Sequence, residues 1–245
     1  MKAILPSKRV GLLAGLLVIV SLYCSCAAPA TATKGEKFPL VYEEKPQSIV
    51  ILPPINMSTA ADAKEYYATT VQEALSYWGY YVFPYEITAD VLKMEGIYDA
   101  ELMTGMPLTK FREYFGADAV LFTTIRKWDL QYLVLASSLT VSIDAELKST
   151  KTDQALWKYS GTTVVDLSGG NTGGGLAGLI AKAIVTAAST AMADYVPYAR
   201  QTNYRALSTL PYGQYHPSYG KDQAMQFYDQ TPQVPAEAHA PAAAQ

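Results

Sequence analysis

Several residue sets in this 245-residue chain sit at spacings that known chemistry uses. Gly173, Gly175 and Gly178 satisfy G-x-G-x-x-G, and Asp194 follows about 20 residues on, near the interval of a dinucleotide fingerprint. Such a loop cradles a pyrophosphate only where a strand feeds a helix and a second strand completes the unit. No strand pattern follows here, and Asp194 falls inside a helical pattern. No Lys-Ser/Thr pair follows the glycines, which removes a P-loop as well. The glycines therefore read as a connector. His216 and Ser218 share the loop sequence YHPSY, but a nucleophilic Ser needs a base held by an acid, and no G-x-S-x-G elbow occurs. His239 stands in a Pro/Ala tail. Asp144 and Glu146 lie two apart, and the wet face of a half-exposed strand explains them without a metal. With two His and two Cys in all, no catalytic residue, metal site or cofactor is expected, and the chain does not read as an enzyme.

Cys26 is the residue whose chemistry is best framed. Lys2, Lys8 and Arg9 precede an uncharged run over 10–23, too short to span a bilayer comfortably, and small Ser25 stands before the Cys. That pattern predicts a lipoprotein signal over 1–25, cleavage between Ser25 and Cys26, and lipidation of the Cys26 thiol. Tyr23 and Cys24 depart from the usual residues of such a site. Conventional cleavage after Ala27, with Ser25 at the −3 position, is the alternative. Ala27 rather than Asp follows the Cys, so by resemblance to bacterial lipoprotein sorting retention at the inner membrane is not signalled. Processing removes three basic residues and no acid, taking the formal charge from −3 to −6. No basic surplus remains to neutralise phosphates, which argues against nucleic acid as partner.

Contact chemistry is better represented than catalysis. The chain has 19 Tyr against six Phe, and Tyr212, Tyr215 and Tyr219 cluster in the turn-rich stretch 210–221. Tyr joins a large contact face to a polar tip, which suits a protein interface or a loop packed on its own domain, and less well glycan stacking. Residues 176–193 are nearly all apolar or small, with Lys182 the one charge. Ala183, Ala187 and Ala191 fall four apart, a stripe that permits close backbone approach. A buried core helix and a docking helix are both open. Lys182, Ser189 and Thr190 argue against a membrane span.

The elements that must position these residues follow from patterning. Residues 26–47 read as a lipidated tether rich in Ala, Thr, Lys, Glu and Pro. A continuous apolar run at 49–52, stopped by Pro53 and Pro54, predicts a strand buried on both faces. Thr59 with Asp62 suggests a capped helix start, and Tyr67, Val71, Leu75 and Trp78 repeat at helical spacing up to Gly79. A short strand over 80–83 and a helix over about 87–95 come next. Leu108, Phe111 and Phe115 then mark a helix between Pro107 and Gly116, and an apolar strand covers 119–125. Leu139, Val141, Ile143, Ala145 and Leu147 alternate with polar residues, as do Trp157, Tyr159, Thr163 and Val165 after the turn at 149–154. Residues 118–167 thus predict a long antiparallel meander after a βαβ-like start, with helices mainly on one face of a mixed sheet. Pro197 predicts a kink or break, and 223–245 a disordered Pro/Ala tail.

SIVILPPINMST (48–59), GYYVFP (79–84), FGADAVL (115–121), ALWKYSG (155–161) and PYGQYHPSYGKD (211–222) together resemble a family of bacterial outer-membrane lipoproteins of the neisserial surface-antigen type. The resemblance spans about 46–222. It implies an α/β domain over 48–222 similar to the TolB N-terminal domain, LpoB and the CsgG periplasmic region, and it brings no catalytic residues. It also implies a lipid-anchored, periplasm-facing adaptor in envelope assembly, export or transport. Its partners would be a second copy of itself or a CsgG-like outer-membrane lipoprotein, and the cell surface is the other address. A peptidoglycan- or glycan-binding module using the tyrosine loop is the alternative function.

Overall fold

The computed structural model describes residues 32–98, 100–133, 136–166 and 196–227. Strand β1 (Ser48–Ile51) is apolar at successive positions because both of its faces are covered. Ile49 and Ile51 enter one apolar cluster, and Val50 and Leu52 enter a second on the opposite side. A short β2 (Ile55–Asn56) follows the Pro pair. Helix α3 (Ala63–Tyr77) then leads to β3 (Tyr81–Val82), which pairs parallel with β1 through Ser48–Tyr81 and Ile49–Val82. Three further helices intervene before β4 (Ala119–Leu133): α4 (Tyr85–Met94), α5 (Ala100–Thr104) and α6 (Leu108–Phe115). β4 lies parallel to β1 and to β2. From there β4, β5 (Ala136–Ser149) and β6 (Ala155–Asp166) run antiparallel; β4 and β5 pair from Ala119–Ser149 to Leu133–Ala136 with a shift between Ile125 and Lys127, and β5 and β6 shift between Leu147 and Lys148. The order across the sheet is β3-β1-β4-β5-β6, with β2 alongside β4. This is the mixed α/β sheet with a long meander that the alternating sequence predicts.

The helices divide by face. Tyr67, Val71 and Leu75 of α3, with Tyr198, Ala206 and Leu207 of α7 (Val196–Leu207), pack on the dry face formed by Leu121, Val141, Ile143, Leu147 and Trp157. Leu92, Met103, Leu108 and Phe111 cover the other face only at its parallel end, over Val50 and Val120. The meander's second face stays polar, as period-two alternation requires. Among the described residues no helix is long and apolar enough to cross a membrane.

Three local expectations differ from the structure. Residues 33–44, expected within the tether 26–47, fold onto the domain as α1 (Lys34–Lys37) and α2 (Pro39–Glu44). Thr33 and Glu36 form a reciprocal capping box, and Phe38 and Val41 are buried anchors. Gln226 bridges to Thr33, and Phe227 meets Phe38 edge-on at 5.3 Å, so part of the expected tail is also folded. The first long helix starts at Ala63 rather than at Thr59, since the chain ahead of it is held otherwise. Asn56 Oδ1 accepts from the Ser58 amide at 3.0 Å, and Asn56 Nδ2 donates to the Ala60 carbonyl at 2.7 Å. The kink or break expected at Pro197 concerns the stretch that precedes Val196, which lies outside the described residues; from Val196 to Leu207 the chain is helical.

Candidate functional site

The tyrosine loop is clamped rather than loose. Asp222 and Lys34 form an ion pair at 3.7 Å with side chains 1% and 5% exposed. Lys34 also donates to the Leu210 carbonyl at 3.0 Å, and the Tyr212 amide donates to Asp222 at 2.9 Å. Burial depresses Lys34 below its ordinary range, an effect that Asp222 partly offsets. The Tyr80 hydroxyl donates to the Pro211 carbonyl at 2.8 Å, and burial raises the Tyr80 phenol strongly. Two glycines allow the loop to lie against the end of α3. A Cβ on Gly213 would stand 2.3 Å from the Gly79 carbonyl oxygen. A Cβ on Gly79, whose φ is +87°, would stand 2.3 Å from the His216 amide nitrogen. The Gly213 amide donates to Trp78 and the Tyr215 amide to Gly79, closing the seam.

This backing organises an aromatic surface. Tyr212 turns inward: its ring stacks on His216 at 3.7 Å and 6°, and meets Trp78 at 6.3 Å. Trp78 in turn touches Tyr77 and Tyr204 at 5.7 and 5.8 Å. Tyr77 and Tyr215 are each 65% exposed, and Tyr219 is 39% exposed. The three loop tyrosines are therefore split, with Tyr212 structural and Tyr215 and Tyr219 presented to solvent. Tyr77, Trp78 and Tyr204 joined the surface without a local sequence signal. Only the packing of α7 beside the C-terminal end of α3 brings them together.

The other chemical candidates resolve into structure. His216 Nδ1 accepts from the backbone amide of Ser218 at 3.1 Å, so the contact between them bypasses the Ser218 hydroxyl. Asp144 accepts from Ser160 at 2.7 Å and pairs with Arg126. Glu146 pairs with Lys158 at 2.9 Å and Lys148 at 3.5 Å. These two acids are engaged across strands on the polar sheet face, where a cleft of about 550 Å³ reaches Phe122, Arg126 and Lys158. Among the described residues no group of three His, Cys, Asp or Glu is arranged to hold a metal. Ser25, Cys26, the glycines of 173–178, Ala183, Ala187, Ala191, Asp194 and His239 lie outside the described residues.

Comparison with known proteins places this geometry in context. Residues 38–214 match a protein family described as "Putative lipoprotein GNA1162-like". The chain is 31% identical over 152 residues to the putative lipoprotein NMB1124/NMB1162 of Neisseria meningitidis serogroup B, covering 62% of this chain and 70% of that one. Among solved structures it is similar to lipoprotein GNA1162 from Neisseria meningitidis, at 32% identity and a TM-score of 0.47, over 58% of this chain and 96% of the other. It is also similar to the PelC dodecamer from Paraburkholderia phytofirmans, at 15% identity and a TM-score of 0.42, over 68% and 90% of the two chains.

Proposed function

Since the chain belongs to the GNA1162-like family of putative lipoproteins, we propose that it is a lipid-anchored, periplasm-facing adaptor or accessory subunit of an envelope assembly, export or transport system. It acts without catalysis, through protein contacts. Residues 1–25 are the signal, Cys26 carries the lipid, and a short tether reaches the folded segment that begins near Thr33. The observation that carries the contact role is the rigidly backed aromatic surface. Tyr77, Tyr215 and Tyr219 stay exposed while Trp78, Tyr212 and the Lys34–Asp222 pair fix the chain beneath them. Aromatic side chains held in place before binding lose little entropy on contact and dominate interface energetics. The stripe of Ala183, Ala187 and Ala191 is a second proposed contact, and a CsgG-like outer-membrane lipoprotein is the proposed partner class.

The test is affinity capture from detergent-solubilised envelopes with the full chain as bait, beside a Tyr215→Ala/Tyr219→Ala form. Specific outer-membrane proteins retained by the parent and lost by the variant support the adaptor. Identical capture profiles refute the tyrosine surface as its contact. Co-sedimentation with peptidoglycan that depends on the same two tyrosines would replace the adaptor with the glycan-binding module.

A further inference from the structure

The two edges of the sheet are unlike. One is β3, two residues long, and brevity is itself a protection against unwanted pairing. The other is β6, twelve residues long, which pairs with β5 on one side and with no strand on the other among the described residues. Alternate residues of such a strand turn N–H and C=O groups outward, a template for another strand. The usual blunting devices are sparse. Over 159–165 (YSGTTVV) there is no charge and no Pro. The register shift against β5 falls before this stretch, at Leu147 and Lys148. A cleft of about 550 Å³ borders part of the β6 margin: Tyr159 of the dry face and Lys158 and Ser160 of the polar one line it, together with Lys37, Thr209 and Phe227. Val164, further along the strand, is 60% exposed among the described residues.

The sequence of β6 also specifies what would complement it. Antiparallel pairing of β6 with another β6 about Thr162 sets residue 160 opposite 164, and Lys158 opposite Asp166 of the second copy. The two-fold axis makes both ends of the pairing equivalent, giving two opposite-charge pairs and no like-charge pair. Lys158 remains 68% exposed at its side chain even while it pairs with Glu146, so its charge is available to a second acid. Val164 would lie beside the Lys158 stem of the other copy, which can cover it.

We propose that the outer edge of β6 is a self-pairing surface, on which a second copy of this chain adds its own β6 antiparallel about Thr162 to form one continuous sheet. The interface is separate from the aromatic surface and does not rest on the envelope role. The full chain in detergent, with Cys24→Ala and Cys26→Ala so that the introduced thiol stands alone, gives the test. Thr162→Cys should cross-link to a dimer with a short bis-methanethiosulfonate reagent, because residues directly opposite in an antiparallel pair hold their Cβ atoms about 4.5–5.5 Å apart, too far for a direct disulfide but within reach of a two-carbon spacer. Thr69→Cys, on the exposed side of α3, should stay monomeric on the gel. By light scattering on dilution, Lys158→Glu should weaken the dimer about tenfold or more, and Lys158→Glu combined with Asp166→Lys should restore it. A monomeric mass at every concentration, a dimer that Thr162→Cys fails to cross-link, or a charge swap no better than Lys158→Glu alone would each overturn the proposal. None of these results depends on whether Cys26 carries a lipid or Tyr215 binds a partner.

Discussion

Replacing Asp222 by Asn should destabilise the domain by about 3 kcal/mol, because removing one member of a buried ion pair leaves the other charge without compensation. The attraction removed is substantial: charges 3.7 Å apart at an effective dielectric constant of ~20 interact by about 4–5 kcal/mol. Desolvation opposes that attraction in the folded protein, but it is not recovered when one partner is neutralised, since Lys34 stays buried against the Leu210 carbonyl. Lys34→Met should cost about 3–5 kcal/mol, leaving a buried carboxylate supported by the Tyr212 amide. The double variant Lys34→Met/Asp222→Asn should fall short of the sum of the singles by about 2–3 kcal/mol, because no unpaired charge remains. Trp78, Trp128 and Trp157 are all buried, so urea unfolding followed by tryptophan fluorescence reports on the whole core. At about 2–4 °C per kcal/mol, Asp222→Asn should also lose roughly 6–12 °C in Tm and Lys34→Met roughly 6–20 °C. Single variants within about 1 kcal/mol of the parent, or a double variant that equals their sum, would refute the view that this pair clamps the N-terminal segment to the tyrosine loop.

Three further outcomes follow from the same geometry. Gly213→Ala should cost about 2–3 kcal/mol in thermal unfolding, because its Cβ would press on the Gly79 backbone, which cannot swing aside. A loss under about 0.5 kcal/mol would show that the seam is loose. Tyr215→Ala should leave stability within about 0.5 kcal/mol of the parent, which separates its contact role from folding in the same melts, whereas Tyr219→Ala removes a mostly buried ring and should cost about 1 kcal/mol. Burial raises the phenols of Tyr42, Tyr67 and Tyr80 well above their ordinary value of 10.0. The folded state then keeps protons that the unfolded chain releases, so this stability is complete below pH 10 and is lost as pH rises beyond it. Lys34, depressed by burial, acts with the opposite sign below 10.5, and three tyrosines outweigh one lysine. Urea midpoints followed to about pH 11 should fall, and Tyr80→Phe should flatten the slope; a pH-independent midpoint contradicts this.

The meander was legible because Leu139, Val141, Ile143, Ala145 and Leu147 alternate cleanly with polar residues, and one wrong step in register would expose all of them. β1 was legible because an uninterrupted apolar run has no other stable place. The segment 33–44 was not read as folded, since its Lys, Glu and Pro content resembles a linker and only Phe38 and Val41 anchor it. Thr33 with Glu36 and the following Pro39 did hold a helix signature. Nothing local marks Asp222 as part of a clamp, because its partner Lys34 lies 188 positions away in sequence and only the closed fold joins them. The division of Tyr212 from Tyr215 and Tyr219 was equally hidden. It depends on Trp78 and on two glycines that let the loop approach, and no periodicity within 210–221 encodes it.

The most direct test of the envelope role is the intact mass of the full chain extracted from membranes, measured beside Cys26→Ala. A mature chain beginning at Cys26 with a diacyl- or triacylglyceryl increment is the predicted result, with both the increment and membrane fractionation lost in the variant. An unmodified chain beginning at Ala28 and recovered in soluble fractions would contradict the lipid-anchored adaptor.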